Sequence, residues 1–410
     1  MVLARLSPTL RQYLLITGNY WAFTLTDGAL RMLVVLHFYS LGYSGLSIAM
    51  LFLFYEIFGV ITNLVGGWLG ARIGLNKTMN IGLFLQVVAL SMLLLPTAYL
   101  IVPWVMAAQA LSGVAKDLNK MSAKSSIKML VPSEAQGALF KWVALLTGSK
   151  NALKGLGFFA GGLLLTFFGF QLAILTMVVL LLLVWILSLI YLKQDLGKSS
   201  GKPKFGDMLS KSPVINTLSA ARMLLFGARD VWFVIALPLF LASQFNWDHW
   251  RIGSFLALWV IGYGGVQSIA PLLLGKENIP DRKTVRLWAT LLCVIPALIA
   301  VVLTANWQIE IALLGGLMLF GAVFAINSSV HSYLIVSHAK ADGVSMDVGF
   351  YYMANAMGRL LGTVLSGWLY QSAGLITCLW VSSVMLLITV FISGLLPGPI
   401  VSSDKNIKPV

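Results

Sequence analysis

The chain has 410 residues, of which 59% are hydrophobic and only 10% are charged, with mean hydropathy +0.90. Soluble domains carry about 25% charged residues, so there is too little polar surface here to cover a water-soluble fold of this length. Net charge is +14 with a pI near 9.8, a balance that in a soluble protein points to nucleic acid. In so apolar a chain it points instead to membrane topology and a basic interior, and no nucleic-acid partner is expected.

A membrane helix needs roughly 20 mostly apolar residues. In chain order such runs fall near 12–38, 45–70, 78–96, 102–128, 137–168, 170–192, 213–242, 250–275, 285–304, 308–337, 346–371 and 374–396. The expected fold class is therefore an all-α membrane protein with twelve transmembrane helices. Arg72, Lys77, Lys128, Lys141, Lys193, Lys198, Lys202, Lys204, Lys211, Lys276, Arg282, Lys283, Arg286 and Lys340 fall in alternate loops on one side. Arg5, Arg11, Lys405 and Lys408 put both termini on that side, and the opposite loops are almost free of Lys and Arg. Basic loops stay in the cytoplasm, so both termini are expected to be cytoplasmic in a multi-pass inner-membrane protein. The basic, Gly/Ser-containing stretch 193–212 divides the chain into an N-terminal six-helix bundle (1–192) and a C-terminal one (213–410). Met1–Arg11 is short and polar with no small-residue cleavage site after it, so no cleavable leader is expected.

The two halves resemble each other. A shift of 205 positions puts Gly157 on Gly362, Gly162 on Gly367, Gly169 on Gly374, and Lys154 on Arg359. It also puts Gly59 on Gly264 and Gly70 on Gly275, while a shift of 203 puts Asp27 on Asp230. Two parallel six-helix repeats around a central site are a transporter arrangement. GWLGARIGLNK (67–77), read as the loop after the second span, resembles the signature of the major facilitator superfamily, with Ala71 where that signature is usually acidic.

Ionisable residues within the spans are Arg31, Lys116, Lys120, Lys150, Lys154, Arg222, Arg229 and Arg359 against Asp27, Glu56, Asp117 and Asp230. Each cation facing lipid would cost roughly 2.5–3.5 kcal/mol. Eight would cost roughly 20–28 kcal/mol, more than the about 5–15 kcal/mol of a typical domain, so they face a protein interior or a watery cavity. Lys116, Lys120, Lys124 and Lys128 recur every four residues, which keeps them on one side of a helix. Lys124 and Lys128 lie near the expected cytoplasmic end and are expected to snorkel. Asp27 with Arg31, and Arg229 with Asp230, are expected pairs, and Lys116 is expected near Glu56 or Asp117. Four acids do not neutralise eight bases, and the surplus asks for an anionic occupant, since Lys and Arg grip phosphate and carboxylate. The eight cations, with Asn327 and His331 on one face of the tenth span, form the expected substrate site. Asp27, Glu56, Asp117 and Asp230 are candidates for carrying a coupled proton. His37 and His249 are expected near the opposite surface, and Trp21, Tyr20 and Tyr55 are candidate lining residues.

No HExxH, nucleophile elbow or P-loop occurs, and Cys293 and Cys378 stand alone in apolar runs. No catalytic residue, metal site or cofactor is expected, and the chain is not expected to be an enzyme.

GNYWAFTLTDGALRMLVVLHF (18–38), AMLFLFYEIFGVITNLVGGWLGARIGLNKTMNIG (49–82), ALSGVAKDLNKMSAKSSIK (110–128), LLTGSKNALKG (145–155) and LFGARDVWFVIALP (225–238) resemble organoarsenical efflux permeases of the ArsJ type. The resemblance implies an exporter of 1-arseno-3-phosphoglycerate, made when glyceraldehyde-3-phosphate dehydrogenase uses arsenate in place of phosphate; a monomer is expected. Such a cargo carries about −3 at neutral pH, which suits a basic interior. An organophosphate:phosphate exchanger, or another organic-anion transporter of that superfamily, is the alternative reading.

Overall fold

A computed structural model describes residues 7–43, 51–192, 196–201, 203–209, 212–275 and 279–397. Among them are eleven α-helices and no strand: α1 Pro8–Ser40, α2 Leu53–Ile73, α3 Leu75–Met92, α4 Val102–Leu130, α5 Gln136–Tyr191, α6 Pro213–Phe233, α7 Ala236–Phe245, α8 His249–Leu273, α9 Arg282–Thr304, α10 Ile309–His338 and α11 Val344–Ser393. The fold is all-α with twelve transmembrane helices in two six-helix repeats. Among the described residues, seven segments are long and apolar enough by composition alone to cross a membrane. Two of these, α5 and α11, are each two spans run together, and α6 with α7 makes one. Helices α1, α3 and α4 complete the set; their buried Asp, Lys, Asn and Gln residues dilute their hydropathy.

Local chemistry sets the ends. Ser7 accepts from the Leu10 N–H at 3.3 Å ahead of Pro8, and Asp281 accepts from the Thr284 N–H at 2.9 Å ahead of α9, supplying helix N-caps. Pro238 has no N–H for the Val234 carbonyl, and the seventh span breaks between α6 and α7 there. The segment read as a loop at 67–77 is helical except for one residue. Helix α2 continues to Ile73, Gly74 turns the chain at φ 98°, and α3 begins at Leu75. The glycine suffices because it alone enters that backbone region without strain.

The duplication is visible in the backbone. Gly169 and Gly374 divide α5 and α11 with φ of 70° and 77°. A Cβ on Gly157 would lie 3.0 Å from the Gly28 Cα, and one on Gly362 would lie 3.0 Å from the Gly227 Cα, so the same helix pair touches in each half. One alignment is corrected. Gly275 (φ 90°) ends α8 as Gly74 (φ 98°) ends α2, so its counterpart is Gly74 and not Gly70.

One buried apolar cluster fills the first half and continues into Tyr333, Val344, Val348 and Tyr352 of the second. Another, around Trp232, Trp259, Phe320 and Leu379, lies within the second half alone. The halves thus close at the end that carries the basic loops, called the basic end below. There the Ser345 hydroxyl donates to the Gly67 carbonyl at 2.6 Å, Lys128 donates to the Ser337 carbonyl at 2.7 Å, and Tyr333 donates to Gln136 at 3.0 Å.

Candidate functional site

Small residues bring the charged helix faces together. A Cβ on Gly113 would lie 2.7 Å from the Tyr55 carbonyl oxygen, so α4 and α2 pack backbone to backbone. That contact lays the Lys stripe of α4 beside Tyr55: Lys116 Nζ sits 3.7 Å above the Tyr55 ring centroid. The Tyr55 hydroxyl donates to Asp27 at 2.7 Å.

Each interior carboxylate has a cation. Glu56 meets Arg31 at 3.1 Å and Arg359 at 3.8 Å, so it joins the two halves. Asp230, fully buried, meets Arg229 at 2.5 Å and Arg359 at 3.1 Å. Asp117 meets Lys120 at 2.5 Å, and Asp27 meets Lys154 at 3.8 Å. The Arg229–Asp230 pair was expected from adjacency. The Asp27–Arg31 pair does not form, because Asp27 turns to Lys154 and Tyr55 while Arg31 reaches Glu56. Nor does Lys116 meet Glu56 or Asp117 within 4.0 Å, since it lies over the Tyr55 ring.

Four interior cations have no carboxylate within 4.0 Å among the described residues: Lys116, Lys124, Lys150 and Arg222. Lys124 corrects the snorkelling expectation. It is only 4% exposed and donates to the Tyr352 hydroxyl and, at 3.2 Å, to Thr147. Arg222, 3% exposed, donates to Asn355 at 3.0 Å and to the Ser328 hydroxyl at 3.1 Å, with its guanidinium 3.9 Å from the Phe226 ring centroid. Lys150 donates to Asn151 at 3.3 Å. Asn151 donates to Gln267 at 2.7 Å, and Gln267 donates to the Ser328 hydroxyl at 3.1 Å. A chain of neutral amides and a hydroxyl therefore runs from Lys150 in one half to Arg222 in the other. Neutral partners satisfy donors but leave the positive charge uncancelled.

The Arg31, Glu56 and Arg359 side chains remain 29–35% exposed although they link the halves, so their open sides border the cleft between the bundles. Asn327 and His331 are fully buried, and neither side chain has a hydrogen-bond partner among the described residues. Such buried polar atoms are costly unless something satisfies them.

Of the candidate lining aromatics, Tyr55 is in the site, Tyr20 is 1% exposed in the first core, and Trp21 donates to Ser149 at 2.8 Å. His37 stacks on Phe170 at 4.0 Å; the His249 side chain lies outside the described residues. Sequence reasoning left Lys124, Tyr352, Thr147 and Gln267 out of the site. The four-residue Lys stripe was the signal that could have kept Lys124 in it. No periodic signal marks the others, which arrive from three different helices.

The profile of the Major Facilitator Superfamily matches residues 16–342 and 224–409. No curated protein sequence gives a significant match. The fold is similar to that of the human organic anion transporter MFSD10 (TETRAN), at 15% identity and TM-score 0.73, covering 95% of this chain and 100% of that one. It is also similar to a bacterial homologue of the iron transporter ferroportin in an outward-facing state, at 15% identity and TM-score 0.72, covering 92% and 98%. A single-residue variant of the E. coli fucose:proton symporter FucP aligns at 11% identity and TM-score 0.73, covering 96% and 100%.

Proposed function

This chain belongs to the major facilitator superfamily, a family of transporters, and on that premise we propose that it exports a small, multiply charged organic anion. The observation that carries the reading is the set of Lys116, Lys124, Lys150 and Arg222, which have no carboxylate partner among the described residues and lie on helices from both halves. An anion placed among them supplies the missing charge, and its oxygens accept from donors now facing neutral partners. Arg31, Lys120, Lys154, Arg229 and Arg359 extend the positive field around it. Asn327 and His331 offer unspent donors and acceptors to the cargo's polar groups.

The cargo proposed is an arsenylated glycerate phosphate, the substrate implied by the resemblance to organoarsenical permeases. Both of its ends are oxyanions, which fits a site with more cations than carboxylates. A glyceraldehyde-3-phosphate dehydrogenase is the enzyme that would supply it. The membrane is the inner one, with the basic end and both termini in the cytoplasm. Transport proceeds by rocking of the two bundles, 1–192 and 213–410, with 193–212 between them. The closed basic end then corresponds to an outward-directed cleft, and Glu56 with Arg359 ties the halves at mid-depth.

The test is arsenic accumulation in cells given arsenate and the dehydrogenase together. Cells with this protein should retain less arsenic than cells without it; equal retention rejects the reading. Uptake of phosphoglycerate into proteoliposomes containing no arsenic would assign the same site to an organophosphate exchanger instead.

A further inference from the structure

A cavity of about 600 Å³ opens where α2, α3 and the second span of α5 meet the linker at the basic end. Arg72, Lys77 and Lys198 form its rim, and Phe84, Trp185 and Leu189 form its wall. It is remote from the interior charges and independent of any reading of the cargo.

The rim is built into the fold. The Leu75 N–H donates to the Leu196 carbonyl at 2.8 Å, and the Ser199 N–H donates to the Ala71 carbonyl at 2.8 Å. These two bonds bracket Lys198 and fix it beside the end of α2. The linker lies so close that a Cβ on Gly197, whose φ is +68°, would come within 2.5 Å of Leu75. Arg72 lies over the Trp68 ring at 5.1 Å. The Trp185 N–H is spent on the Asn80 carbonyl at 3.0 Å, which leaves its ring to pack against Phe84 with centroids 5.2 Å apart.

Charge stands above and hydrocarbon below. Ile81, Phe84 and Leu189 are 38–46% exposed on membrane-spanning helices, where their exposed faces meet acyl chains. No carboxylate lines the cavity among the described residues. A free phosphate would use the rim and leave the wall unexplained; a zwitterionic lipid would bring its own ammonium group against Arg72 and Lys198. Basic pockets between membrane helices recognise anionic lipid headgroups.

We propose that this cavity is a binding site for one anionic phospholipid. Its phosphate sits between Arg72 and Lys198, and its acyl chain descends along Phe84, Trp185 and Leu189.

Native mass spectrometry of the full chain in detergent tests this, with phosphatidylglycerol and phosphatidylcholine of matched chains as probes. The wild type should retain phosphatidylglycerol in preference. Arg72→Gln with Lys198→Gln should weaken that retention about fivefold for each charge removed, and Arg72→Lys with Lys198→Arg should keep it. Lys198→Gln alone, on the linker, supplies the measurement should the double variant not fold. Equal retention of the two lipids by the wild type, or undiminished retention in the Gln variants, overturns the proposal. So does displacement of the lipid by glycerol 3-phosphate, which would identify a soluble-anion site.

Discussion

Lys154 and Arg359 hold the same place in the two halves, and each reaches the aspartate of its own bundle: Lys154 to Asp27 at 3.8 Å, Arg359 to Asp230 at 3.1 Å. The symmetry is incomplete because Arg359 also reaches Glu56 of the other half at 3.8 Å. A guanidinium presents several donors in a fixed fork and serves two carboxylates at once, whereas an ammonium is a point charge. Lys154→Arg should therefore preserve folding and most of the transport. Arg359→Lys should loosen the tie between the halves and lower transport at least tenfold. Parallel vesicle transport assays of the two variants check this; equal losses would mean that the bridge has no role.

Lys150 and Lys120 separate binding from structure. Lys150 has an amide partner and no carboxylate among the described residues, so Lys150→Ala removes an uncancelled charge. Transport should fall by tenfold or more, with thermal stability in detergent unchanged or raised. Lys120→Ala leaves Asp117, 1% exposed, without its cation, and breaking such a buried pair costs about 3–5 kcal/mol. It should lower both stability and transport, and Lys120→Ala with Asp117→Asn should recover stability alone. Normal transport by Lys150→Ala would show that the anion binds elsewhere.

Gly169 and Gly374 turn between paired spans at positive φ, and a Cβ added at either position would meet nothing within 4 Å. Both combine positive φ with a fully extended ψ (176° and −178°), a region essentially reserved for glycine, so the penalty of Gly→Ala is conformational, about 1–3 kcal/mol at each site. The two should be alike and close to additive, since the turns lie in different halves. Thermal unfolding of both single variants and the double variant measures it.

Asp342, in the turn before α11, accepts from the Ser200 N–H at 3.0 Å and from the Ser200 hydroxyl at 2.7 Å. The linker is thereby fastened to the second half. Hydrogen bonds from Ser200 and Ser199 hold the Asp342 carboxyl below its usual range. A depressed carboxyl contributes stability above its unfolded pKa and loses it as pH falls through the folded value. The clasp should therefore hold at neutral pH and loosen only in acid. Asp342→Asn should loosen it at every pH, read as faster proteolysis of the linker, and a pH-independent wild type would contradict the assignment.

Much of the architecture is legible in composition and order. Apolar runs mark the spans, Lys and Arg mark one set of loops, and the offset of about 205 residues marks the duplication. The turn at 67–77 is not, because glycines at helix contacts and at turns look alike in sequence. At the site, charge type is legible, but pairing is legible only for the adjacent Arg229 and Asp230. Asp27 and Arg31 are four apart on one helix, yet each finds its partner on another.

Sequence by itself determined that this is a membrane chain with more cations than acids inside it, because hydropathy and charge count are sums over residues. Only the tertiary structure decided which cations have no carboxylate beside them among the described residues. Lys116, Lys124, Lys150 and Arg222 are distinguished from Lys120, Lys154, Arg229 and Arg359 by a few ångströms between side chains that helix packing brings together. Attraction between charges depends on that separation, and no sum over residues contains it.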